Sequence, residues 1–558
     1  MEEALKKSLF VITVLGITLL LSTRIYAQEI FNAIRSGDLS KVKELVERDP
    51  QLVKARNANQ STPLHVAVDA DNEPIAKYLI EKGADVNTVN RYNWTPLLYA
   101  KGKETVNLLI EKGADINQGI GHLNALRQFM WSQKKELAEY LLEKGATLPE
   151  IGTRESDYLL FDSFKSGSIK ILEKYLLLGF SPLFENETKS NLLHLASESN
   201  SAELIERLIN LGVPIDAANI FGYSPLHIAA LKGNAQVVRL FIEKGVDINM
   251  RTRDGKTPFN LAVEAKKEET VEYLKSAGAD QSPQKFPVIT GEYLGQPRPG
   301  PGQKAVPFAP GIVSGQYNFE SSMTITSDGN ELFWNVKDNG HSIMRMRKED
   351  GRWKTPEIFL EGEMPFLSPN GKDFYFIANK KMTGTEIKVI CIIRKKASGW
   401  SEPNELPDIV HSLPIDWQVS VDRTGNLYFS AHNAWGSEYW RIHCSEFREG
   451  RYGEPRVIET LKDVYAFCPY IAPDGSYLII SKVPGGVLSI LFKKKDGTWT
   501  KGIDLADFIG TKDAFCPIVS PDGRYLFFIK GIIGYRSPYW VDASFIKDLR
   551  KKALKDDK

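Results

Sequence analysis

The residues best suited to chemistry are few, and none forms a known catalytic or metal-binding motif. His443 and Cys444 are adjacent, so on a strand their side chains point to opposite faces and cannot share a metal ion. The sequence contains no His-Glu-x-x-His, no Gly-x-Ser-x-Gly and no Walker loop. The run 300–305 fits the dinucleotide fingerprint only formally, because prolines flank it and no predicted strand precedes it. We therefore predict no catalytic residue, no metal site and no cofactor.

The cysteines raise a separate question. The chain has four, at Cys391, Cys444, Cys468 and Cys516. Cys468 and Cys516 both lie in Ala-Phe-Cys-Pro, at the same position of successive repeats of the second half. This equivalence predicts that they do not lie across from each other. We expect free, buried cysteines, because four positions are too few to be a disulfide framework for a chain this long.

The first half of the chain is a helical repeat. In the unit around Ser224-Pro225-Leu226-His227, Ser224 is a predicted helix N-cap and Pro225 occupies the first helical position. Gly245 ends the second helix of that unit. The cap recurs 29 to 34 residues apart at Thr62, Thr95, Asn124, Asp157, Asn191, Ser224 and Thr257. The closing glycine recurs at Gly83, Gly113, Gly145, Gly179, Gly212, Gly245 and Gly278.

A period of about 33 residues with Thr-Pro-Leu-His resembles the ankyrin repeat. Residues 62–65 match that signature fully, and the units at Thr95 and Thr257 nearly so. The units at Asn124, Asp157 and Asn191 lack the proline. The resemblance covers residues 28–282 and implies an all-α solenoid of about eight units, whose polar terminal units cap the stack.

Residues 283–303 are rich in proline and glycine and predict a stiff, extended linker. Beyond them, a turn glycine followed by aromatic strand residues recurs at Gly329, Gly371, Gly425, Gly475 and Gly523. Four strands per unit of 40–50 residues is the spacing of propeller blades. The Pro-Asp-Gly turns resemble the WD-like repeats of bacterial periplasmic propellers of the TolB type. The resemblance implies an all-β propeller over 304–545, followed by a charged tail, 546–558.

The blade count rests on the fifth unit, which lacks an outermost strand. The segment 304–314 precedes the first inner strand and has no other partner. Its prolines, Pro307 and Pro310, are tolerated on a sheet edge. We therefore predict five blades, with this segment completing the fifth, and keep six blades as the alternative.

The inner strands carry the candidate channel residues. Seven residues before each turn glycine lies a small or weakly polar ring, composed of Ser322, Met364, Gln418, Cys468 and Cys516. Nearby acids at Glu320, Asp416 and Asp513 are candidates for one mouth of the channel. The alternative is that they are solvated loop charges.

The hairpin tips of the ankyrin half are the candidate protein-binding residues. In ankyrin proteins the residues before the cap commonly contact partners. Here they are large and apolar, namely Tyr92, Trp94, Ile220, Phe221 and Tyr223. Such residues on exposed tips are typical of interface hot spots. The alternative is that they pack against the rest of the chain.

The N-terminus predicts export. Lys6 and Lys7 precede an uncharged run from Ser8 to Thr23, and the possible cleavage site at Ala27 follows. This pattern indicates a signal peptide, 1–27, cleaved after Ala27, with an uncleaved inner-membrane anchor as the alternative. The 71 basic and 70 acidic residues balance to +1, which disfavours a nucleic-acid partner.

The expected function is that of an exported bacterial interaction protein, not an enzyme. Its ankyrin arc is expected to bind one protein partner. Its propeller is expected to bind a second protein or a cell-envelope component. The alternative is a propeller enzyme or small-ligand binder for glycans or peptides, because propeller enzymes can draw single residues from several blades. Acids and a histidine converging on one mouth would favour that alternative.

Overall fold

The structure is a computed structural model of two compact units. It describes residues 28–555 except 120–123, 133, 149–162, 187, 314–318, 338–340, 383–384, 433–439, 484 and 532–535. The first unit contains the chain up to Asn219, with Ser224–Met250 and Pro258–Gln281. The second contains Ile220–Tyr223, Arg251–Thr257 and the chain from Ser282 onward. The predicted signal peptide and its cleavage site lie outside the described residues.

The first unit consists of successive helix pairs. In chain order the pairs are 28–35 with Leu39–Arg48, Pro63–Asp69 with Glu73–Glu81, Pro96–Tyr99 with Lys103–Glu111, Ala125–Trp131 with Lys135–Glu143, 163–166 with Ile169–Leu177, Leu192–Ala196 with Ala202–Asn210, Pro225–Lys232 with Ala235–Glu243, and Pro258–Glu264 with Glu268–Ser276. One apolar cluster runs through the whole stack. Within the described ranges, no helix combines the length and apolar character needed to cross a bilayer.

Histidines link neighbouring repeats through the predicted caps. The Thr62 hydroxyl lies 2.8 Å from His65 Nδ1, which also accepts the Thr62 backbone N–H. Because Nδ1 accepts, Nε2 carries the proton and donates to the Trp94 carbonyl of the next repeat at 2.9 Å. His227 repeats this arrangement between Ser224 and the Met250 carbonyl. Burial lowers the pKa of His65, so this ring acts as a neutral structural link.

Gly245 shows why the helix pairs after the first one close on glycine. Its φ is +85°, a left-handed value, while a Cβ added there would meet nothing within 4 Å. Backbone conformation and not space therefore demands glycine.

The second unit is a five-bladed propeller, as predicted. Blade 1 contains Phe319–Ile325, Glu331–Lys337, His341–Glu349 and Glu357–Glu361; blade 2 contains Glu363–Leu367, Asp373–Met382, Thr385–Lys396 and Asn404–Glu405; blade 3 contains Ile415–Val421, Leu427–His432, Trp440–Ser445 and Arg456–Val457; blade 4 contains Ala466–Ile471, Tyr477–Lys482, Val487–Phe492 and Ile503–Asp504; blade 5 contains Phe515–Val519, Tyr525–Lys530, Ser537–Asp542 and Val306–Pro307. All pairings are antiparallel. The first strand of each blade, its inner strand, lies beside the next in a ring that closes from blade 5 to blade 1.

The fifth blade is completed by the segment before blade 1. Val306 pairs with Trp540 and Pro307 with Tyr539. The Phe308 N–H then donates to the Pro538 carbonyl at 2.8 Å. The Phe308 ring packs edge-on against Phe527 and Trp540 at centroid distances of 5.1 Å. We call residues 305–308 the clasp, because they join the start of the propeller to its last blade.

Part of the predicted linker is built into the propeller instead. Ile289–Thr290 pairs with Arg352–Trp353 beside blade 1, and the Trp353 indole donates to the Gly291 carbonyl at 2.9 Å. Tyr293 is buried against Tyr525, Phe527 and Trp540. The proline content did not reveal these aromatic contacts with blade 5.

The C-terminal segment forms the helix Phe545–Ala553. Ile546 and Leu549 are buried in the propeller core, and Phe545 stacks on Phe508 at 5.1 Å. This part of the predicted charged tail is therefore an amphipathic helix whose charged residues face outward.

Candidate functional site

The most exposed aromatic residue of the ankyrin tips is Tyr92, 50% exposed. The Arg91 guanidinium lies 4.7 Å above its ring and donates to its hydroxyl at 2.6 Å. Trp94 is half-buried behind it and packs on Tyr99, at a centroid distance of 5.4 Å. We call Arg91, Tyr92 and Trp94 the aromatic tip.

Backbone contacts hold the aromatic tip in one conformation. The side chain of Asn90 accepts the N–H groups of Tyr92 and Trp94 at 2.9 and 3.1 Å. The Arg91 N–H donates to the Asn59 carbonyl of the preceding tip. A tip fixed in this way loses little conformational entropy on binding, which favours a binding role.

The second predicted tip does not present its aromatic residues. Phe221 is 3% exposed and Tyr223 7% exposed, while Ile220 is half-buried. The expectation that Phe221 and Tyr223 are exposed is therefore wrong. The Phe221 carbonyl accepts the Arg253 N–H at 3.1 Å, and it would lie 2.7 Å from a Cβ added at Gly311. Gly311 follows the clasp in the chain. The repeat pattern could not predict that it lies close to Phe221.

The predicted ring of small residues closes the propeller axis. Ser322, Met364, Gln418, Cys468 and Cys516 are all buried. Gln418 Nε2 donates to the carbonyls of Pro469 and Pro517 at 3.3 and 3.0 Å. Cys468 and Cys516 face each other with their sulfurs 2.8 Å apart, so the expectation that they lie apart is wrong. Equivalent positions of inner strands converge because the strands surround one axis.

Of the three predicted channel-mouth acids, Asp416 lies in an ion cluster. Asp416 accepts from Lys388 at 2.7 Å, and the same ammonium lies 2.7 Å from Glu363. Glu363 is buried and lies 3.4 Å from His341. The side chain of Glu320 lies outside the described residues, and Asp513 is half-buried before the blade-5 inner strand.

This cluster, formed by His341, Glu363, Lys388 and Asp416, connects blades 1, 2 and 3. Burial by itself lowers the pKa of Lys388, but the carboxylates of Asp416 and Glu363 outweigh it and hold that pKa above its usual value. The ammonium therefore stays protonated, which suits an ionic link and not a base or nucleophile.

Sequence reasoning missed Glu363 and Lys388. It missed Glu363 because it aligned the blades on their turns. In blades 2, 4 and 5 the left-handed residue of the inner strand is Met364, Cys468 and Cys516, but in blade 3 it is Trp417 and not Gln418. The blade-3 turn is one residue shorter, since Asp422 N–H donates to Asn426 O. Aligning the left-handed residues places Glu363 and Asp416 at the same position, one residue before them.

An aromatic group adjoins the cluster where the inner strands begin. Trp417 packs on Trp440 and Phe467, at 6.2 and 5.2 Å, and Phe467 packs on Phe515 at 5.7 Å. Arg536 lies over both Trp417 and Phe515. Within the described part of the chain, the indole N–H groups of Trp417 and Trp440 are buried and have no hydrogen-bond partner. Buried N–H donors normally have a hydrogen-bond acceptor, and the described protein groups supply none to these two.

The turn aspartates serve their own turns, as the pattern indicates. Asp522 accepts from the Ser520 hydroxyl and from the Arg524 N–H. Burial raises the pKa of Asp522, but these hydrogen bonds outweigh burial and leave the pKa below its usual value. Asp328 has the same contacts in blade 1. These carboxylates are structural caps.

The helical repeats match a known family. Residues 30–120 and 193–285 match the family model described as ankyrin repeats (3 copies). The chain therefore has a helical region with ankyrin repeats, followed by a β-rich region arranged as a five-bladed propeller.

Curated proteins resemble short stretches of this chain. The serine/threonine-protein kinase VIK of Arabidopsis thaliana is 46% identical over 66 residues, which is 12% of this chain and 15% of that protein. Alpha-latrocrustotoxin-Lt1a of Latrodectus tredecimguttatus is 42% identical over 79 residues, or 14% of this chain and 6% of the toxin. The putative ankyrin repeat protein FPV230 of Fowlpox virus (strain NVSL) is 48% identical over 40 residues, or 7% and 21%. The chain spans less than a quarter of the length of each.

Proposed function

We propose that this chain is an exported interaction protein without catalytic activity. Its ankyrin repeats bind a protein partner through the aromatic tip, and its propeller is a second binding platform for a protein or cell-envelope component. The observation that carries the proposal is the exposed and conformationally fixed Tyr92, with Arg91 stacked on its ring.

The chemistry of the aromatic tip suits a protein interface. Tyrosine, tryptophan and arginine dominate interface hot spots, because they bury large areas and still satisfy a polar group. The tip contains all three residue types, and the backbone N–H group of each one donates a hydrogen bond.

The variant Tyr92→Ala is expected to weaken partner capture at least tenfold and to leave the melting temperature unchanged. Truncating a hot-spot tyrosine costs about 2 kcal/mol of binding, while half of its surface is already in water. Partners captured by the full chain from envelope extract are identified by mass spectrometry, and the affinity of the principal one is measured with purified protein.

The matched control is Tyr465→Ala in the propeller. Tyr465 is 37% exposed and also carries an arginine, Arg441, 4.9 Å above its ring. Equal losses of affinity in the two variants would show that the ankyrin tip is not the binding surface. A lower melting temperature for Tyr92→Ala alone would show that the tip is structural.

Export is supported by the N-terminal pattern of two lysines, an uncharged run and Ala27. The mature chain is expected to begin at Gln28, as measured by the intact mass of protein from a bacterial periplasmic fraction. A membrane-bound species that retains Met1 would favour the anchor.

The second platform is supported by the Pro-Asp-Gly turns and by the propeller's resemblance to TolB-type domains. The residues at the propeller axis are buried, and Gln418 joins two blades there. The proposed partner therefore binds the outer surface of the propeller and not its axis.

A second candidate function is a small-ligand site for a glycan or peptide on the face where the inner strands begin. The observation that favours it is the cluster of Glu363, Asp416, His341 and Lys388 beside the aromatic group. Aromatic rings and carboxylates together can stack on sugars and accept their hydroxyls. A glycan or peptide that quenches tryptophan fluorescence of the wild-type chain, and not of Asp416→Asn, would favour this function.

A further inference from the structure

Cys468 and Cys516 form a sulfur pair at the propeller axis. Their Sγ atoms are 2.8 Å apart, although both residues are thiols in the structure. This separation is shorter than a van der Waals contact between two sulfur atoms. Both residues are buried, and they lie on neighbouring inner strands, of blades 4 and 5.

The backbone around the pair is fixed symmetrically. Both cysteines have left-handed φ values, +50° and +49°, and both are followed by proline, whose own φ is restricted. One side chain, Gln418, donates to the carbonyls of both prolines. The Cys468 N–H also donates a hydrogen bond to the Ser430 hydroxyl oxygen, at 3.0 Å. The two sulfurs therefore face each other without a rearrangement of either strand.

The other two cysteines have different surroundings. Cys391 is buried in the apolar cluster of blades 1 and 2, and Cys444 packs against that of blades 3 and 4. Neither lies at the axis. The duplicated Ala-Phe-Cys-Pro thus places one sulfur pair in a position that the other cysteines do not share.

We propose that Cys468 and Cys516 are a disulfide site, which covalently joins blade 4 to blade 5 when the chain folds in an oxidising compartment. The acceptor is a small disulfide or the disulfide of a thiol–disulfide oxidoreductase. One cysteine thiolate attacks the acceptor, forming a mixed disulfide and releasing one acceptor thiol. The second cysteine thiolate then attacks the mixed disulfide and releases the other thiol. The two cysteines lose two protons and two electrons, and the acceptor disulfide is reduced to two thiols.

Burial fixes when this exchange takes place. A dissolved acceptor cannot reach either sulfur in the closed ring, so the bond forms before the inner strands of blades 4 and 5 pack together. The same burial protects the finished bond from external thiols. It is therefore a structural link and not a reversible surface switch.

The test compares the full chain refolded with oxidised and reduced glutathione against the same chain refolded in dithiothreitol. After denaturation and alkylation, the glutathione sample is expected to have two alkylated cysteines, Cys391 and Cys444, and a linked peptide pair containing Cys468 and Cys516. The dithiothreitol sample is expected to have four. The linked protein is expected to melt about 10 °C higher, because the cross-link closes a long loop in the unfolded chain.

Two variants make the result specific. Cys391→Ala, a buried cysteine outside the pair, is expected to retain the linked peptides, while Cys516→Ala is expected to have three alkylated cysteines and no link. Four alkylated cysteines in folded wild-type protein from the glutathione sample, or a link that uses Cys391 or Cys444, would overturn the proposal. Equal melting temperatures of linked and unlinked protein would overturn its role as a structural link.

Discussion

Replacing Phe308 with alanine is expected to lower the free energy of unfolding of the propeller by about 3–5 kcal/mol, the usual cost of removing a fully buried phenylalanine. Phe308 is fully buried between Phe527 and Trp540. Its ring anchors the clasp, and the paired residues Val306 and Pro307 contribute only a short strand. Without the ring, the last blade is expected to expose the edge of Ser537–Asp542.

Hydrogen exchange measured by mass spectrometry can assign this loss to the propeller. Peptides covering Ser537–Asp542 are expected to exchange faster in Phe308→Ala, while peptides of the helices Pro63–Asp69 and Glu73–Glu81 are expected to be unchanged. The control is Phe508→Ala. Phe508 also contacts an aromatic ring, that of Phe545, but is 37% exposed. A loss in Phe308→Ala no larger than that in the control would contradict the anchoring role.

Truncated chains test the role of the clasp without creating the cavity that Phe308→Ala leaves in the core. A propeller beginning near Thr290 retains the clasp, and one beginning near Gln316 lacks it. We expect the longer chain to be more soluble and to melt higher, because an open blade edge exposes unpaired N–H and C=O groups. Equal behaviour of the two chains would show that the clasp does not stabilise the ring.

The fold could be predicted from local rules that repeat. Thr62 and Ser224 are helix N-caps, as their residue types and the following proline predict. The recurrence of such caps at a fixed period predicted the solenoid. The missing strand of blade 5 was equally visible, because a sheet with an empty edge requires a partner. The segment containing Val306 was the one available, and it occupies that edge.

The site was less predictable because it depends on contacts between distant repeats. Phe221 and Tyr92 both lie three residues before the cap of their repeat, yet Phe221 is buried and Tyr92 is exposed. The repeat pattern does not predict that the Gly311 backbone lies against the Phe221 carbonyl. Likewise, Cys468 and Cys516 are 48 positions apart in the sequence, and only closure of the ring brings them into contact.

Glu363→Gln is expected to destabilise the propeller by about 2 kcal/mol if the ion cluster links the blades. Removing one partner of a buried ion pair costs about 3–5 kcal/mol when the other charge is left uncompensated. Here Lys388 retains Asp416 at 2.7 Å and is one-third exposed, so the expected loss is smaller. The contact with His341 is weakened as well. Thermal and urea unfolding, followed by tryptophan fluorescence, measure the change.

The matched control is Glu405→Gln, which removes the charge of a similar pair on the surface of the same blade. Glu405 lies 2.7 Å from Lys380, and both side chains are more than 40% exposed. Its loss is expected to be below about 1 kcal/mol, because water screens the pair. A stable Glu363→Gln protein that had lost affinity for a glycan or peptide would identify the cluster as a ligand site. A less stable protein with unchanged affinity would identify the cluster as the ionic link between blades 1, 2 and 3.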